Sequence, residues 1–284
     1  MKLEKKNSQT RIIVIMIVLL AALLAAIFLT DSGGTKSETI QEVMKDAVLH
    51  EDNQMAFLGM TVNPSVISDW VVTGLLFVCA ALLRVFVIPH FKIIPGKFQT
   101  LLESLVSYFQ NLAKSYSPHR NAFLSVYLFS VGVYISVGTL FELLGIQWMT
   151  TKGMSMSLPA PISDINAAIA TGVMSYCVIL SGGIASNGLR GVGSTLKEFS
   201  LPISMSFRLF GALLGGLLVS ELVYYSLSLS FVLPVAVGVL FTLLHALIQT
   251  YVLTMLTANY YGEVSEPPKP KKKKQKATAV QAAN

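Results

Sequence analysis

Charged residues are scarce here. Asp, Glu, Lys and Arg make up 13% of the 284 residues, where a soluble globular domain carries about 25%. With 53% of the chain hydrophobic, this composition excludes a disordered protein and a coiled coil, and it argues against a water-soluble enzyme. Cysteine is nearly absent. The two present, Cys79 and Cys177, sit in separate apolar runs without metal-ligand or redox spacing. That excludes a disulfide-stapled scaffold, and both are expected as buried small apolar residues. No Ser/His/Asp set, phosphate-cradling glycine loop or metal-ligand cluster stands out. No resident metal or other cofactor is expected. What the chain does have is several apolar runs beyond the roughly 20 residues that cross a bilayer. The expected fold is an all-α polytopic membrane protein.

The net charge is +6. Six lysines (Lys269, Lys271, Lys272, Lys273, Lys274 and Lys276) lie together with no acid among them, and without them the chain is neutral. The basic balance belongs to one tail and not to a nucleic-acid-binding face. A polybasic stretch after an apolar run reads as a cytoplasmic flank beside membrane lipid.

Residues 1–30 hold Lys2, Lys5, Lys6 and Arg11 followed by the unbroken run Ile12–Leu29. The run is either a long secretory signal or a first span. Its length, and the lack of a small-x-small cleavage site after it, favour a retained span. Residues 31–65 are acidic and read as extracytoplasmic. A membrane domain follows over 66–262, with a second span near Val66–Ile88. Within 98–113, Leu101, Leu102, Leu105, Phe109 and Leu112 recur at helical spacing opposite polar residues. That pattern predicts an amphipathic helix on the membrane surface or against a partner. Further spans are expected near Ala122–Ile146 and Ile162–Ile184.

Two apolar stretches, Phe199–Leu229 and Phe231–Tyr261, then stand almost back to back. Each would be about 46 Å long as a helix against about 30 Å of hydrocarbon, which predicts a strongly tilted two-helix hairpin. Counting the N-terminal run, about six spans return the polybasic tail, residues 263–284, to the cytoplasm.

Ionisable side chains within the hydrocarbon mark function by default. The candidates are Glu142, Asp164, Arg208, Glu221 and His245. If Lys197 marks the cytoplasmic edge, Arg208 lies eleven residues further on, about 16 Å deep. A lone arginine there costs between about 3 and 17 kcal/mol, and it cannot shed its proton. Gly211 and Gly215 form a small-xxx-small pair beside it, suited to close backbone approach. His245 and Gln249 share a face of the last helix. The imidazole can exchange protons near neutral pH, and the amide can bond an arginine or water. Glu142, Asp164 and Glu221 fall toward outer helix ends, where an acidic vestibule and ordinary interfacial carboxylates are both open readings. Asp164 can also cap its helix.

These residues resemble subunit a of the F-type ATP synthase. The resemblance rests on Pro202-Ile-Ser-Met-Ser-Phe-Arg208-Leu-Phe-Gly211 and on Ile248-Gln249-Thr-Tyr251-Val with Leu256-Thr257 and Tyr260. It extends to Ile94-Pro-Gly-Lys-Phe-Gln-Thr100 and Pro161-Ile-Ser-Asp164-Ile-Asn166. The resemblance covers roughly residues 60–265 in order. It implies a non-catalytic stator subunit of the bacterial plasma (inner) membrane with two aqueous half-channels. Protons, or alternatively sodium ions, would pass through them to a rotating ring of c subunits. The peripheral-stalk b subunit and other ATP synthase subunits would be further partners. Arg208 would be the barrier facing the ring carboxylate, Gln249 its partner, and Glu142 an outer half-channel acid.

Three positions depart from the pattern. Leu217 stands where a polar or acidic residue is common, with Glu221 one turn further out. Thr242 stands where an acid or histidine is common, with His245 one turn inward. Ala212 replaces a frequent asparagine. The expectation is a rearranged outer half-channel lined by Glu221 and His245. The alternative class, a standalone channel or secondary transporter, should show an internal repeat, and none is clear. A purely structural anchor would leave Arg208 unexplained.

Overall fold

The computed structural model describes residues 55–57, 60–151, 153, 155–225 and 233–267. The run Ile12–Leu29, most of the acidic segment and the lysine cluster lie outside the described residues. Within them, five helical segments are long and apolar enough to cross a membrane, at Pro64–His90, Asn121–Leu144, Ile165–Asn187, Ser200–Ser220 and Val235–Ser265. The fold is an all-α polytopic membrane protein.

The chain begins with a short hairpin, β1 (Met55–Phe57) against β2 (Met60–Val62). Helix α1 (Pro64–Leu82) starts where Asn63 caps it, accepting a bond from the Ser65 amide at 3.1 Å, with proline at the first helical position. It continues through a π-turn at Leu83–Val87 and a 3-10 turn to His90. Pro95-Gly96 breaks the chain before α2 (Lys97–Tyr116), and Ser117-Pro118 ends that helix. Next come α3 (Asn121–Phe141) and a 3-10 turn at Glu142–Leu144. Gly145, in the left-handed region at φ 58°, closes the turn. A second hairpin, β3 (Gln147–Met149) with β4 (Ser155–Ser157), leads to α4 (Ile165–Asn187). Neither hairpin was foreseen in the sequence. Helices α5 (Leu189–Lys197), α6 (Ser200–Tyr225) and α7 (Leu233–Ser265) complete the described chain.

Helix α4 is the hub. It packs on α5, α6 and α7, while α7 also lies along α3. The core runs through Leu124, Leu128, Ile135, Ile179, Met205, Leu209 and Leu253. At 26 and 33 residues, α6 and α7 are about 39 and 50 Å long, in line with the expected long hairpin. Each of them packs more on α4 than on the other.

The last carbonyls of α7, which a helix leaves without internal partners, are taken by neighbouring elements. Asn187 Nδ2 donates to Val264 O at 2.9 Å and to Glu266 O at 3.0 Å. His119 Nε2 meets Ser265 O at 2.5 Å. The start of α3 and the ends of α4 and α7 are tied together in this way.

The structure corrects two expectations. Cys79 and Cys177 are exposed, not buried. In a membrane helix an apolar residue faces lipid as comfortably as a core, so composition alone could not tell the two apart. The expected amphipathic helix is α2, and Phe109 and Ala113 on its second half are buried against the bundle. Lys197 does not mark where the chain turns back. The reversal is at Gly188 (φ 57°), and α5 runs back along α4. Gly183 and Gly191 meet backbone to backbone, and Tyr176 Oη donates to Thr195 O at 3.0 Å. The eleven-residue depth estimate for Arg208 therefore loses its reference point.

Candidate functional site

Arg208 and Gln249 are neighbours. Gln249, 5% exposed, lies on the face of α7 turned toward α6, and its Nε2 donates to the Arg208 carbonyl at 3.2 Å. The amide thus holds the backbone that carries the arginine. Arg208 itself is exposed. Among the described residues it has no acidic partner.

The surface around Arg208 is smooth and apolar. Gly211 and Gly215 lie on the same exposed side of α6 as Arg208, and a Cβ built on either would meet nothing within 4 Å. Among the described residues no backbone uses the small-xxx-small pair. On α7 the adjoining exposed residues are Leu244, Leu247, Ile248 and Tyr251. An arginine in an apolar field with two open glycines forms a shallow, positively charged face.

His245 lies one turn from Gln249 on the same side of α7. A Cβ on Gly216 of α6 would come within 2.9 Å of its Cε1, so the imidazole rests on that glycine. Phe241 stacks beside it with ring centroids 5.9 Å apart. The expected shared face of His245 and Gln249 is therefore present, turned toward α6.

Glu142 begins the turn that ends the third helix, and that turn packs on α7. Ser136 Oγ and Thr250 Oγ1 lie 2.7 Å apart, which sets the antiparallel register of α3 on α7. Six residues on from Ser136 and five back from Thr250, Glu142 and His245 come to about the same level. Asp164 caps α4, its Oδ1 accepting from the Asn166 amide at 2.7 Å. It lies at the N-terminal end of α4, apart from the Arg208–Gln249 pair. Glu221 falls on α6, thirteen residues past Arg208, and its side chain lies outside the described residues.

One acid was passed over in the sequence. Asp69 is inside the second apolar run and accepts a hydrogen bond from Tyr134 Oη at 2.6 Å, across sixty-five positions of sequence. The signal was available, since an aspartate within Val66–Ile88 meets the same criterion as the others. Hydroxyls gather beside it. Ser65 Oγ and Ser163 Oγ are 3.2 Å apart, and Ser68 Oγ donates to Pro64 O. Removing the donor leaves a partly buried carboxylate short of a partner. Tyr134→Phe is expected to cost about 1 kcal/mol, read as a fall of roughly 2–4 °C in the melting of the purified complex. An unchanged melt would show that the pair is not a structural tie.

A family model described as ATP synthase A chain matches residues 66–262. Proteins named ATP synthase subunit a from two strains of Cereibacter sphaeroides are each 26% identical over 180 residues, covering 59% of this chain and 69% of theirs. The matched stretch contains all five described spans except the last residues of α7 and the first of α1. The run Ile12–Leu29 and the lysine cluster lie outside it. Most of the chain follows the family's pattern in one continuous match, and the chain belongs to the ATP synthase A chain family.

Proposed function

We propose that this chain is the stator that passes protons to and from a rotating ring of c subunits, with Arg208 as the barrier between two aqueous half-channels. Family membership makes it a non-catalytic, multi-pass membrane subunit that works in ion translocation with other ATP synthase subunits. The observation that supports the finer reading most is the exposed Arg208, without an acidic partner among the described residues, on a backbone held by Gln249. A cation that cannot deprotonate suits a carboxylate brought to it by another protein.

The physics is compact. One elementary charge crossing 100 mV releases about 2.3 kcal/mol. Coupling that energy to rotation needs two offset water paths with no direct link. The outer path would run past Glu142 and His245, with Glu221 further out on α6. Asp164 would stand at the outer mouth while capping α4. The peripheral-stalk b subunit would hold the chain against torque, in a bacterial inner membrane with the polybasic tail in the cytoplasm.

Single alanine substitutions test the outer path by proton-driven ATP synthesis in vesicles. Glu142→Ala and His245→Ala are each expected to lower the rate at least several-fold, and Glu221→Ala to lower it less. Water fills gaps more readily near an open end than beside the barrier. Unchanged rates for both Glu221→Ala and His245→Ala would remove these two from the path. Proton rather than sodium coupling predicts the same rate with and without added sodium.

A further inference from the structure

Helix α1 is anchored at one end only. Ser65, Ile67, Ser68 and Val72 are buried, and Met55 of the preceding hairpin packs with Ile67 and Val72. From Thr73 to His90 no residue is buried. Phe77 is 75% exposed and Val85 61%. Among the described spans, none has so small a share of its residues buried. Lipid alone can solvate such a helix, so exposure by itself names no occupant.

We propose that the run Ile12–Leu29 of this same chain seats on the inner half of α1 as its antiparallel neighbour. Connectivity is the first support. The β1–β2 hairpin is fixed at the outer start of α1, so the segment before it is delivered to that end. Consecutive elements of a chain usually lie side by side. Length is the second support, since eighteen apolar residues make a helix of about 27 Å, close to the hydrocarbon thickness. Charge is the third. Lys2, Lys5, Lys6 and Arg11 hold the start of the run in the cytoplasm, so it rises as α1 descends.

Helix α1 offers small residues to such a neighbour. Gly74, Ala80 and Ala81 are exposed on α1, and a Cβ on Gly74 would meet nothing within 4 Å. Small residues let membrane helices approach closely, which is where their packing attraction comes from. The family match begins at residue 66, so this contact would be an addition to the shared pattern. It does not rest on the proton-path reading.

A native thiol makes the test direct. Cys79 is exposed on α1, fifteen residues past Pro64 and therefore about 22 Å from its outer end. The same depth on the run falls near Val14. In a Cys177→Ala background, single cysteines at each of residues 12–20 are to be oxidised in membranes holding the assembled complex. Cross-linked peptides are then identified by mass. The expected result is an intrachain disulfide to Cys79 whose yield peaks every three or four positions, at least several-fold above the positions between. A disulfide needs Cβ atoms about 3.5–4.5 Å apart, so lateral diffusion in lipid would not reproduce that periodicity.

Three outcomes would overturn the proposal. One is no position above background. Another is Cys79 captured by a different subunit or a second copy. The third is an intact mass showing that the mature chain starts after the run. Deleting residues 1–30 gives a second readout. A membrane-soluble maleimide should then label Cys79 several-fold faster, and an unchanged rate counts against the contact.

Discussion

Arg208→Ala will reduce ATP-driven ion pumping in inverted membrane vesicles to the background of vesicles without the complex, while the complex still assembles. Both halves of that expectation follow from geometry. Arg208 is exposed and has no acidic partner among the described residues, so truncation removes little packing and leaves no orphaned carboxylate among them. The bond that holds this stretch of α6 to α7 uses the Arg208 carbonyl, not its side chain, so it survives the substitution. What disappears is the only cation on the exposed face of α6 between Phe199 and Tyr225. On the proposed mechanism, a ring carboxylate passing in its charged form would lose its counter-charge, and the two water paths would lose their barrier.

Arg208→Lys separates charge from chemistry. A lysine keeps the charge as a compact ammonium on a flexible stem, and it sheds its proton more readily in an apolar setting. Its pumping should therefore fall well below wild type. Full pumping by the alanine variant would sink the barrier role and leave family membership without this mechanism.

Gly172→Ala should impair the protein nearly as severely, and by a different route. A Cβ at this position would stand 2.9 Å from the Pro202 carbonyl and 3.1 Å from the Ser206 amide, and it would overlap Ser206 Oγ. Two of the three obstacles are backbone, so no side-chain rotation relieves them. Helix α6 must move, and Ser206 is two residues from Arg208. Overpacking of this kind typically costs about 1–3 kcal/mol. The displacement also separates the arginine from Gln249, whose bond is already 3.2 Å long. We expect a lower melting temperature together with at least a several-fold loss of pumping, both worse for Gly172→Val. By contrast, Gly211→Ala, where the Cβ meets nothing in this chain, should leave the melt unchanged. If pumping falls there alone, the face of α6 is used by another subunit.

Much of the architecture could be read without coordinates. Unbroken apolar runs predict spans because a bilayer admits only helices or closed barrels. The described spans fall within a few residues of the expected ones, except where caps and turns decide the boundary. The pairing of Arg208 with Gln249 was also anticipated, through the two motifs that carry the family resemblance. The form of that pairing was not. An amide reaching an arginine's carbonyl leaves the guanidinium free to face outward, and no sequence pattern distinguishes that from a side-chain bond.

Composition, run length and charge placement determined that this chain is a multi-span helical membrane protein, and the motif order determined its family. The tertiary structure decided what faces what. It turned the chain at Gly188, nine residues before the lysine taken as the cytoplasmic edge, left Cys79 and Cys177 on outer surfaces, and left Gly211 and Gly215 open while Gly172 is closed against α6. It also joined Asp69 to Tyr134. The reason is physical. In water an apolar side chain signals burial, but in a bilayer lipid tails are as apolar as leucine, so hydrophobicity stops reporting which face of a helix is packed. Contacts between helices then depend on small residues and single hydrogen bonds whose partners lie tens of positions apart, and only the folded chain brings those together.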